Sequence, residues 1–548
     1  MGDSGITASG KRLNSWKEIA AHLQRDVRTV QRWEKNEGLP VHRKLHDTLS
    51  SVYAYADEID AWWHGGGSTA KTNFVAANQP SRPMLAVLPV RNLSGDSEQD
   101  YFSDGLTEEL IGQLGRLTPD TLGVIAHASA MRYKQSKKGI DQIARELRAS
   151  YVIESSVRRD DARVRISVAL VRTADQSHLW SESYDRNLRD ILTLQAEVAR
   201  AVAGEIAVKI PAAEQTQLIR TRPVDPAAYN AYLHGRYFWN QRTVRALRTA
   251  LNYLEESASR DPNHAPSHAG IADCYAVLSL IELGALAPCE GMPKAKAAAR
   301  RAIEIDPGLA EAHASLGCVQ LWYDWDWTAA AQSFKKAISL NPGYTPAHQW
   351  YSSLLETDNR MEEAMVEIGR ALELDPLSLV LRSELAALLY FERQYDRAIE
   401  ESMKALELDS RFVLAYFNLG RAYTQKKMHA KAIAALRKAY ELSDASAAVT
   451  MQLGYAYAMA GKKTEAGRML DSLAKLSRKG YVPAFYSAAI HTGLRDKERA
   501  FATLRRAYEE RCDYLVHLAK EPAADALRSD PRFADLAPRP QPKTSATT

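Results

Sequence analysis

Residues 306–343 read DPGLAEAHASLGCVQLWYDWDWTAAAQSFKKAISLNPG. This stretch decides the fold because the dipeptide that opens it, Asp306-Pro307, has a counterpart near its end in Asn341-Pro342. Six dipeptides mark the same position in successive units: Asp261-Pro262, Asp306-Pro307, Asn341-Pro342, Asp375-Pro376, Asp409-Ser410 and Ser443-Asp444. Their second residues are spaced by 45, 35, 34, 34 and 34 positions. That period is the length of a helix–turn–helix pair that stacks into a solenoid. The sequence therefore predicts a helical repeat region with a long concave face.

Small and aromatic residues recur within each unit of this region. Alanines fall at matching positions, as at Ala364 and Ala371, and Leu419-Gly420 with Tyr423 returns as Leu453-Gly454 with Tyr457. Small residues let two antiparallel helices approach closely, and large apolar ones fill the space between pairs. The pattern resembles the tetratricopeptide repeat. About eight units are predicted within 225–515: 228–262, 265–307, 310–342, 345–376, 379–410, 413–444, 447–478 and a degenerate 481–514.

The first helix of each pair is expected to line the concave face. This lining is aromatic and mixed in polarity, which suits a protein or peptide partner. The alternative is that about half of these side chains only pack between repeats. The predicted partner-binding residues are Trp350, Tyr390, Phe391, Phe417, Asn418, Arg421, Met451 and Tyr455.

Two departures from the repeat pattern carry further expectations. The 265–307 unit is longer by about 11 residues, and this excess predicts an edge loop over Leu280–Lys294, of the kind that contacts partners. The next unit carries three tryptophans between Trp322 and Trp327, at its inter-helix turn. An aromatic ligand box is one interpretation, and a locally packed turn is favoured over it.

Residues 11–64 predict a small helical domain. Ser15 and Glu18 form a capping box at the start of one helix, and Asp26 is placed to cap a second. In that second helix Val27, Val30 and Trp33 fall on the inner face. The segments 41–44 and 52–55 are expected to pair as a hairpin, followed by a short helix that contains Trp62 and Trp63.

The outer face of the second helix is basic and rich in hydrogen-bonding groups. The segment from Arg25 to Lys44 contains six basic residues and three acidic ones. The words SWKEIAAHLQRDVRTVQRWEKNEGLPVHR and VYAYADEIDAWW resemble the winged helix-turn-helix of the MerR and excisionase type, which implies a recognition helix in the DNA major groove. A single such domain buries little DNA surface, so a homodimer or a tandem site is expected. The predicted DNA-binding residues are Arg25, Arg28, Thr29, Gln31, Arg32, Lys35, Arg43 and Lys44. The alternative is a charged face that only meets solvent.

Residues 84–211 alternate strand-like and helix-like segments, which predicts a small mixed sheet covered by helices. A hairpin is expected across Asp160-Asp161. The words LAVLPVRNLSGDSEQDYFSDGLTEELIGQL, YVIESSVRR and VRISVALVRTADQSHLWSESYD resemble the TolB N-terminal-like module. That resemblance implies a module that contacts a protein or ligand and sits between a regulatory output domain and tetratricopeptide repeats. It transfers no residue-level site.

The length, net charge and cysteine content indicate the number of domains and the cellular compartment. At 548 residues the chain is too long to fold around a single hydrophobic core, so several domains are expected. The net charge of only +4 means that any DNA contact must come from a local basic patch. Four scattered cysteines without a C-x-x-C pair favour a reducing cytoplasm. No signal peptide or membrane span is expected. Residues 65–83 read as a flexible linker, and 516–548 as a C-terminal extension that ends in a disordered tail.

No pattern for catalysis, a metal or a cofactor stands out. Gly65–Thr72 nearly matches a phosphate-binding loop, but Ala70 replaces its second glycine and no strand precedes it. The histidine pairs at 42/46 and 264/268 lack further ligands for zinc. The sequence therefore predicts a chain without catalytic residues, metal or cofactor, which is not an enzyme.

Together these observations predict a multidomain, mainly α protein: a small winged helix-turn-helix, a central α/β module and an α-solenoid. The predicted function is a bacterial, DNA-binding transcription regulator whose solenoid receives a protein or small-molecule signal. The alternative is a protein–protein scaffold whose N-terminal domain binds protein instead of DNA. These two hypotheses differ in the steep salt dependence that DNA binding requires.

Overall fold

A computed structural model describes residues 12–13, 15–23, 25–37, 39–44, 51–56, 58–60, 82–117, 121–160, 163–206, 224–280 and 284–538. The chain divides into two compact units, 1–80 and 81–548. Several sequence-based expectations lie outside the described residues: the linker 65–83, the phosphate-loop-like Gly65–Thr72, Trp62 with Trp63, and the tail beyond 538.

The first unit contains two helices and three short strands. Its elements are β1 (Arg12–Leu13), α1 (Trp16–His22), α2 (Val27–Glu37), β2 (His42–Lys44) and β3 (Ser51–Tyr55). Strand β3 lies between β1 and β2, and both pairings are antiparallel. The core of this unit includes Ile19, Val30 and Ile59, which are fully buried.

The second unit begins with a six-stranded mixed sheet. Its strands are β4 (Met84–Val87), β5 (Arg91–Asn92), β6 (Gly123–Val124), β7 (Tyr151–Asp160), β8 (Arg163–Arg172) and β9 (Ser177–Asn187). The strand order is β6-β4-β7-β8-β9, with β5 beside β7. Strand β4 runs parallel to β6 and β7, whereas β7, β8 and β9 are antiparallel. The predicted hairpin is therefore present, and its strands extend to Asp160 and Arg163.

Helices cover both faces of this sheet. They are α3 (Asp100–Leu117), α4 (His127–Met131), α5 (Ile140–Leu147) and α6 (Ile191–Glu205). Buried residues of α3 and α6 share one core with alternate residues of β8, such as Ile166 and Val168. Helix α5 packs on the opposite face, where Ile143 and Leu147 meet Val152. Such a two-sided covering is the expected consequence of parallel strands at the sheet centre.

Eight helix pairs follow in the described part of the chain. They are α7 (Pro226–Trp239) with α8 (Val244–Arg260), α9 (Ala265–Ser279) with α10 (Pro288–Ile305), α11 (Ala310–Val319) with α12 (Trp327–Leu340), α13 (Thr345–Thr357) with α14 (Met361–Leu374), α15 (Leu379–Phe391) with α16 (Tyr395–Leu408), α17 (Val413–Gln425) with α18 (His429–Leu442), α19 (Ala447–Met459) with α20 (Lys463–Ser477), and α21 (Ala484–Gly493) with α22 (Lys497–Glu509). The short helix α23 (Arg532–Leu536) comes last. None of the helices described is long and apolar enough to cross a membrane.

The recurrent residues of the repeats have identifiable physical roles. The side chain of Asp306 accepts a hydrogen bond from the Gly308 N–H at 2.9 Å, and Asn341 does the same for Gly343 at 3.0 Å. These contacts fix the turn between units, which explains the recurring acidic or amide residue. Within a pair, a Cβ at Gly317 would lie 2.7 Å from the ring of Phe334. The small residue is therefore required for close packing of the two helices.

The structure contradicts part of the expectation for one irregular unit and agrees with the expectation for the other. The excess residues of the 265–307 unit do not all form an edge loop, because helix α10 starts at Pro288 and continues through Pro293. Proline is favoured in the first helical turn, where its missing N–H costs nothing; this explains Pro288 but not Pro293, which lies inside the helix. The tryptophan-rich turn is packed as favoured: Trp322, Trp325 and Trp327 are all buried.

The sheet region docks on one of the inter-repeat turns. The Ser129 hydroxyl donates to the Asp375 carboxylate and accepts from the Leu377 N–H, and the Ala126 N–H donates to the Leu374 carbonyl at 2.8 Å. Asp375 occupies the recurring acidic position, so here the repeat's turn residue holds the sheet region instead. This contact joins segments almost 250 residues apart into one compact unit.

Candidate functional site

Helix α2 presents the polar face that the sequence indicates. Arg28 and Gln31 on the helix and Arg25 just before it are exposed, whereas Val30 on the opposite face of the helix is fully buried. Arg32 and Lys35 lie on the same helix, and Arg43 and Lys44 lie on β2, which pairs with β3. The side chains of these last four residues are outside the described part of the structure. A role in DNA binding stays a prediction for the whole set.

The start of α2 is fixed by Asp26. Its carboxylate accepts from the Thr29 N–H at 2.9 Å and from the Thr29 hydroxyl at 2.7 Å. These hydrogen bonds, led by the one from the Thr29 hydroxyl, lower the pKa of Asp26. Because its hydroxyl proton is directed at Asp26, Thr29 offers mainly its methyl group and a hydroxyl lone pair to an incoming ligand.

Inside the solenoid, seven of the eight predicted partner-binding residues line one cavity of about 260 Å³. They are Trp350, Phe391, Phe417, Asn418, Arg421, Met451 and Tyr455. Tyr390 is buried beside Arg421, which lies 3.9 Å from its ring centroid. The sequence pattern therefore places these residues together, although no observation tests their contact with a partner.

The chain's own C-terminal segment shares this cavity. Residues 513–517 and 522–527 form short 3-10 turns against the inner helices, and Tyr514, His517 and Glu521 line the cavity wall. The Glu521 carboxylate lies 3.3 Å from Arg421 and accepts from the Tyr390 hydroxyl at 2.7 Å. Arg421 and Glu521 are 6% and 4% exposed, so this is a buried ion pair with its remaining lone pairs satisfied.

A second polar pair fixes the same segment. His517 Nδ1 lies 2.7 Å from a carboxylate oxygen of Glu356, which is fully buried, and its ring stacks on Phe391 with centroids 5.0 Å apart. Burial by itself would lower the pKa of His517, but the Glu356 carboxylate raises it above the ordinary value. A protonated imidazole is therefore favoured at this position.

Sequence reasoning missed His517 and Glu521 because it treated residues 516–548 as an extension, and it missed Tyr514 because it assigned that residue to the last, degenerate repeat. One signal was available: a concave face with a buried arginine needs a carboxylate, and Leu515-Val516 and Leu518 are apolar residues that a disordered tail seldom carries. Neither feature is periodic, so a search for repeats passes over it.

Two stretches match known families. Residues 81–201 match the family described as HilA/YgeH-like transcriptional regulator, second domain. Residues 413–446 match the tetratricopeptide repeat. The chain thus carries a HilA-like transcriptional regulator domain and tetratricopeptide repeats, which fits a regulator with a protein-binding repeat region. The finer resemblances, to a winged helix-turn-helix and to a TolB-like module, stay predictions.

Two relatives illustrate the partial nature of these matches. The chain is 35% identical over 243 residues to Putative adenylate cyclase 3 of Rhizobium meliloti (strain 1021), covering 44% of this chain and 41% of that protein. It is 26% identical over 306 residues to Transcriptional regulator HilA of Salmonella typhimurium, covering 55% and 52%. The chain thus spans about half or less of the length of these relatives.

The first of these relatives corrects one expectation. The sequence-based prediction that the chain is not an enzyme is wrong on this comparison, because a relative at 35% identity bears the name of a cyclase. A search for motifs of nucleophiles and metal ligands could not anticipate it, because the similarity is a matter of overall identity across 243 residues.

Solved structures of tetratricopeptide repeat proteins resemble part of the chain. TTC0263, a thermophilic tetratricopeptide repeat protein of Thermus thermophilus, is 18% identical and covers 36% of this chain and 98% of its own, with a TM-score of 0.31. A tetratricopeptide repeat protein from Parabacteroides merdae ATCC 43184 is 14% identical and covers 51% and 100%, with a TM-score of 0.36. The chain is a multidomain, mainly helical protein with a tetratricopeptide-like solenoid and a central sheet-containing module.

Proposed function

We propose that this chain is a transcription regulator that binds double-stranded DNA through residues 12–60. The observation that carries the proposal is helix α2, which exposes Arg28 and Gln31 while Val30 on its other face is buried, with Arg25 exposed just before the helix. Two helices followed by an antiparallel strand pair fit a winged helix-turn-helix, with α2 in the major groove and Arg43 and Lys44 of β2 at phosphates. The matched HilA-like domain supports the same function.

Each residue of the predicted DNA-binding set on or beside α2 has a role in this proposal. Arginine pairs bidentately with a guanine edge and glutamine with an adenine edge, which suits Arg28 and Gln31 for base recognition. Arg25, Arg32 and Lys35 are assigned to phosphate or base contacts, and the Thr29 methyl to a thymine methyl. Because one such unit buries little DNA surface, two copies or two adjacent sites are needed for tight binding.

The solenoid is proposed to receive the signal. Trp350, Phe417, Met451 and Tyr455 line the inner cavity and offer the contacts for a protein or peptide partner. Asn418 is less available, because its amide donates to the Ser383 carbonyl at 3.0 Å. Three further residues of the predicted set already contact the chain's own C-terminal segment, namely Tyr390, Phe391 and Arg421. A partner on this face therefore binds beside that segment or displaces it.

Selection of genomic fragments by the full-length protein tests the DNA-binding proposal. Wild type is compared with Arg28→Ala/Arg32→Ala and with Arg163→Ala/Arg165→Ala. The control arginines lie on β8, are 70% and 64% exposed, and remove the same charge from the other unit. Enrichment of a defined motif by wild type and the control, with loss in the α2 variant, is the expected result. Motif-free recovery by all three proteins would favour a protein–protein scaffold instead.

A further inference from the structure

A second, larger cavity of about 560 Å³ lies between the sheet region and the first repeats, and we call it the interdomain chamber. Its wall is formed by helix α3 of the sheet region and by the inner helices α7, α9, α11 and α13. A volume of this order is typical of sites for small organic ligands. The first cavity, which Tyr514, His517 and Glu521 help to line, is called the C-terminal cavity from here on. In contrast to that cavity, the described lining of the interdomain chamber contains no residue beyond 512.

The described lining of the chamber carries charges of both signs. Five carboxylates and four guanidinium groups contribute to it. Some are mutually paired: Glu108 accepts hydrogen bonds from Arg236 and Asn240, and Glu109 accepts from the Tyr232 hydroxyl at 2.8 Å. Because the two signs nearly balance, a polyanion or a polycation would meet repulsion as well as attraction. A ligand that carries one charge of each sign matches this wall better.

Arg242 is the anchor for an anionic group. Its side chain is exposed, lines the chamber, and lies over the ring of Trp239 with its Cζ 3.5 Å from the centroid. Among the described residues no carboxylate forms an ion pair with it. A guanidinium fixed on an aromatic face with its donors available is well suited to bind a carboxylate bidentately.

The opposite anchor consists of oxygen atoms that lack hydrogen bonds. Oε2 of Glu311, Oδ2 of Asp273 and the hydroxyl of Tyr344 are buried and have no hydrogen-bond partner among the described residues. The Arg116 guanidinium lies 3.8 Å from the other oxygen of Glu311, and Arg236 lies 3.6 Å from Asp273 Oδ2, so both ion pairs are long. Buried polar atoms normally have partners. Their concentration around one chamber points to a group that donates hydrogen bonds there.

We propose that the interdomain chamber binds a small zwitterion, an amino acid or a short peptide. Its carboxylate binds Arg242, and its ammonium group binds Glu311 and Tyr344, with Asp273 behind them. Since helix α3 and the repeats both contribute to the wall, an occupied chamber strengthens the contact between the sheet region and the solenoid. The binding of a zwitterion does not depend on the proposed function. Only the consequence, that this molecule is the signal for the regulator, rests on it.

Calorimetry on the full-length protein tests the binding directly. The probes are the twenty free L-amino acids and tri-L-alanine, with succinate and 1,4-diaminobutane as probes of a single charge. Arg242→Met and Glu311→Gln are the test variants, and Arg248→Met is the matched control, because Arg248 is an exposed residue of the neighbouring helix α8. Urea unfolding of every variant establishes that each remains folded.

At least one zwitterion is expected to bind wild type and Arg248→Met, and to bind each test variant about tenfold more weakly or worse. The proposal is overturned if no zwitterion binds at about 10 mM. It is equally overturned if the test variants bind as tightly as the control, or if a single-charge probe binds as tightly as the zwitterion. Fragment selection is measured separately, so a protein that selects DNA but binds no zwitterion refutes only the chamber assignment.

Discussion

The two cavities that the solenoid helps to line differ in what completes them. In the C-terminal cavity the chain supplies its own counter-groups, because Glu521 meets Arg421 and His517 meets Glu356. In the interdomain chamber Arg242 lacks an ion-pair partner among the described residues, and several buried oxygens lack hydrogen bonds. The same repeat architecture thus forms one cavity fixed by intramolecular contacts and one whose polar groups fit an external molecule.

The largest expected effect tests whether the C-terminal cavity is truly completed by the chain. Glu521→Ala leaves Arg421 buried without its carboxylate, and we expect a loss of about 3–5 kcal/mol in the free energy of unfolding. Glu498→Ala is the control, because it breaks an exposed pair with Arg532 and should leave the stability unchanged within error. Urea unfolding followed by tryptophan fluorescence measures both. Equal stability of the two variants would show that the segment is not docked.

A somewhat smaller effect tests the helix packing that both cavities share. Gly317→Ala places a Cβ 2.7 Å from the Phe334 ring, and the resulting overpacking should cost about 1–3 kcal/mol. Gly467→Ala is the matched control, since a Cβ there meets nothing within 4 Å and alanine favours a helix interior. Thermal unfolding should therefore shift in opposite directions for the two variants. A shift in the same direction would contradict this account of the repeat packing.

The hydroxyl of Tyr390 contributes a further hydrogen bond to the C-terminal cavity, and a smaller effect is expected from its removal. Tyr390→Phe removes the hydrogen bond of 2.7 Å to Glu521 and keeps the ring over Arg421, so we expect a loss of about 1–2 kcal/mol. Tyr237→Phe serves as the control on a half-buried tyrosine of helix α7. If both variants unfold at the same urea concentration as wild type, the Glu521 carboxylate does not depend on Tyr390.

The smallest expected effect is a pH dependence of the docked segment. The Glu356 carboxylate raises the pKa of His517 above 6.5, so the folded state binds a proton that the unfolded chain releases. This contribution is complete below pH 6.5 and is lost as the pH rises through the raised value. Wild type should therefore lose more stability between pH 6 and pH 8.5 than His517→Gln does. Identical losses would show that the His517–Glu356 pair is not ionic.

Local patterns of the sequence were sufficient for much of the fold. The recurring Asp306-Pro307 type of dipeptide predicts the repeat because such a side chain can fix its own turn, as Asp306 and Asn341 do through an interaction within three residues. The hairpin between β7 and β8 follows equally from alternation across Asp160-Asp161. The inner-face residues Phe417 and Met451 follow from helical spacing, and the structure places them in one cavity.

The remaining features depend on contacts between distant segments. Ser129 pairs with Asp375, 246 residues later, and Arg421 pairs with Glu521, 100 residues later. No periodicity connects such positions, and either partner alone resembles an ordinary surface residue. The interdomain chamber is the clearest example, because Arg116 lies on α3, Arg242 in the turn between α7 and α8, and Glu311 on α11, and only the folded chain brings them together.

The most direct test of the central claim, DNA binding through residues 12–60, is the salt dependence of affinity for the selected fragment. Fluorescence anisotropy with full-length wild type, Arg28→Ala/Arg32→Ala and Arg163→Ala/Arg165→Ala gives the slope of log K against log salt. The account predicts a steep slope for wild type and for the β8 control, and a slope shallower by about one for each phosphate that the α2 variant no longer neutralises. Equal slopes for the three proteins would contradict it, since the basic face of α2 would then not meet DNA.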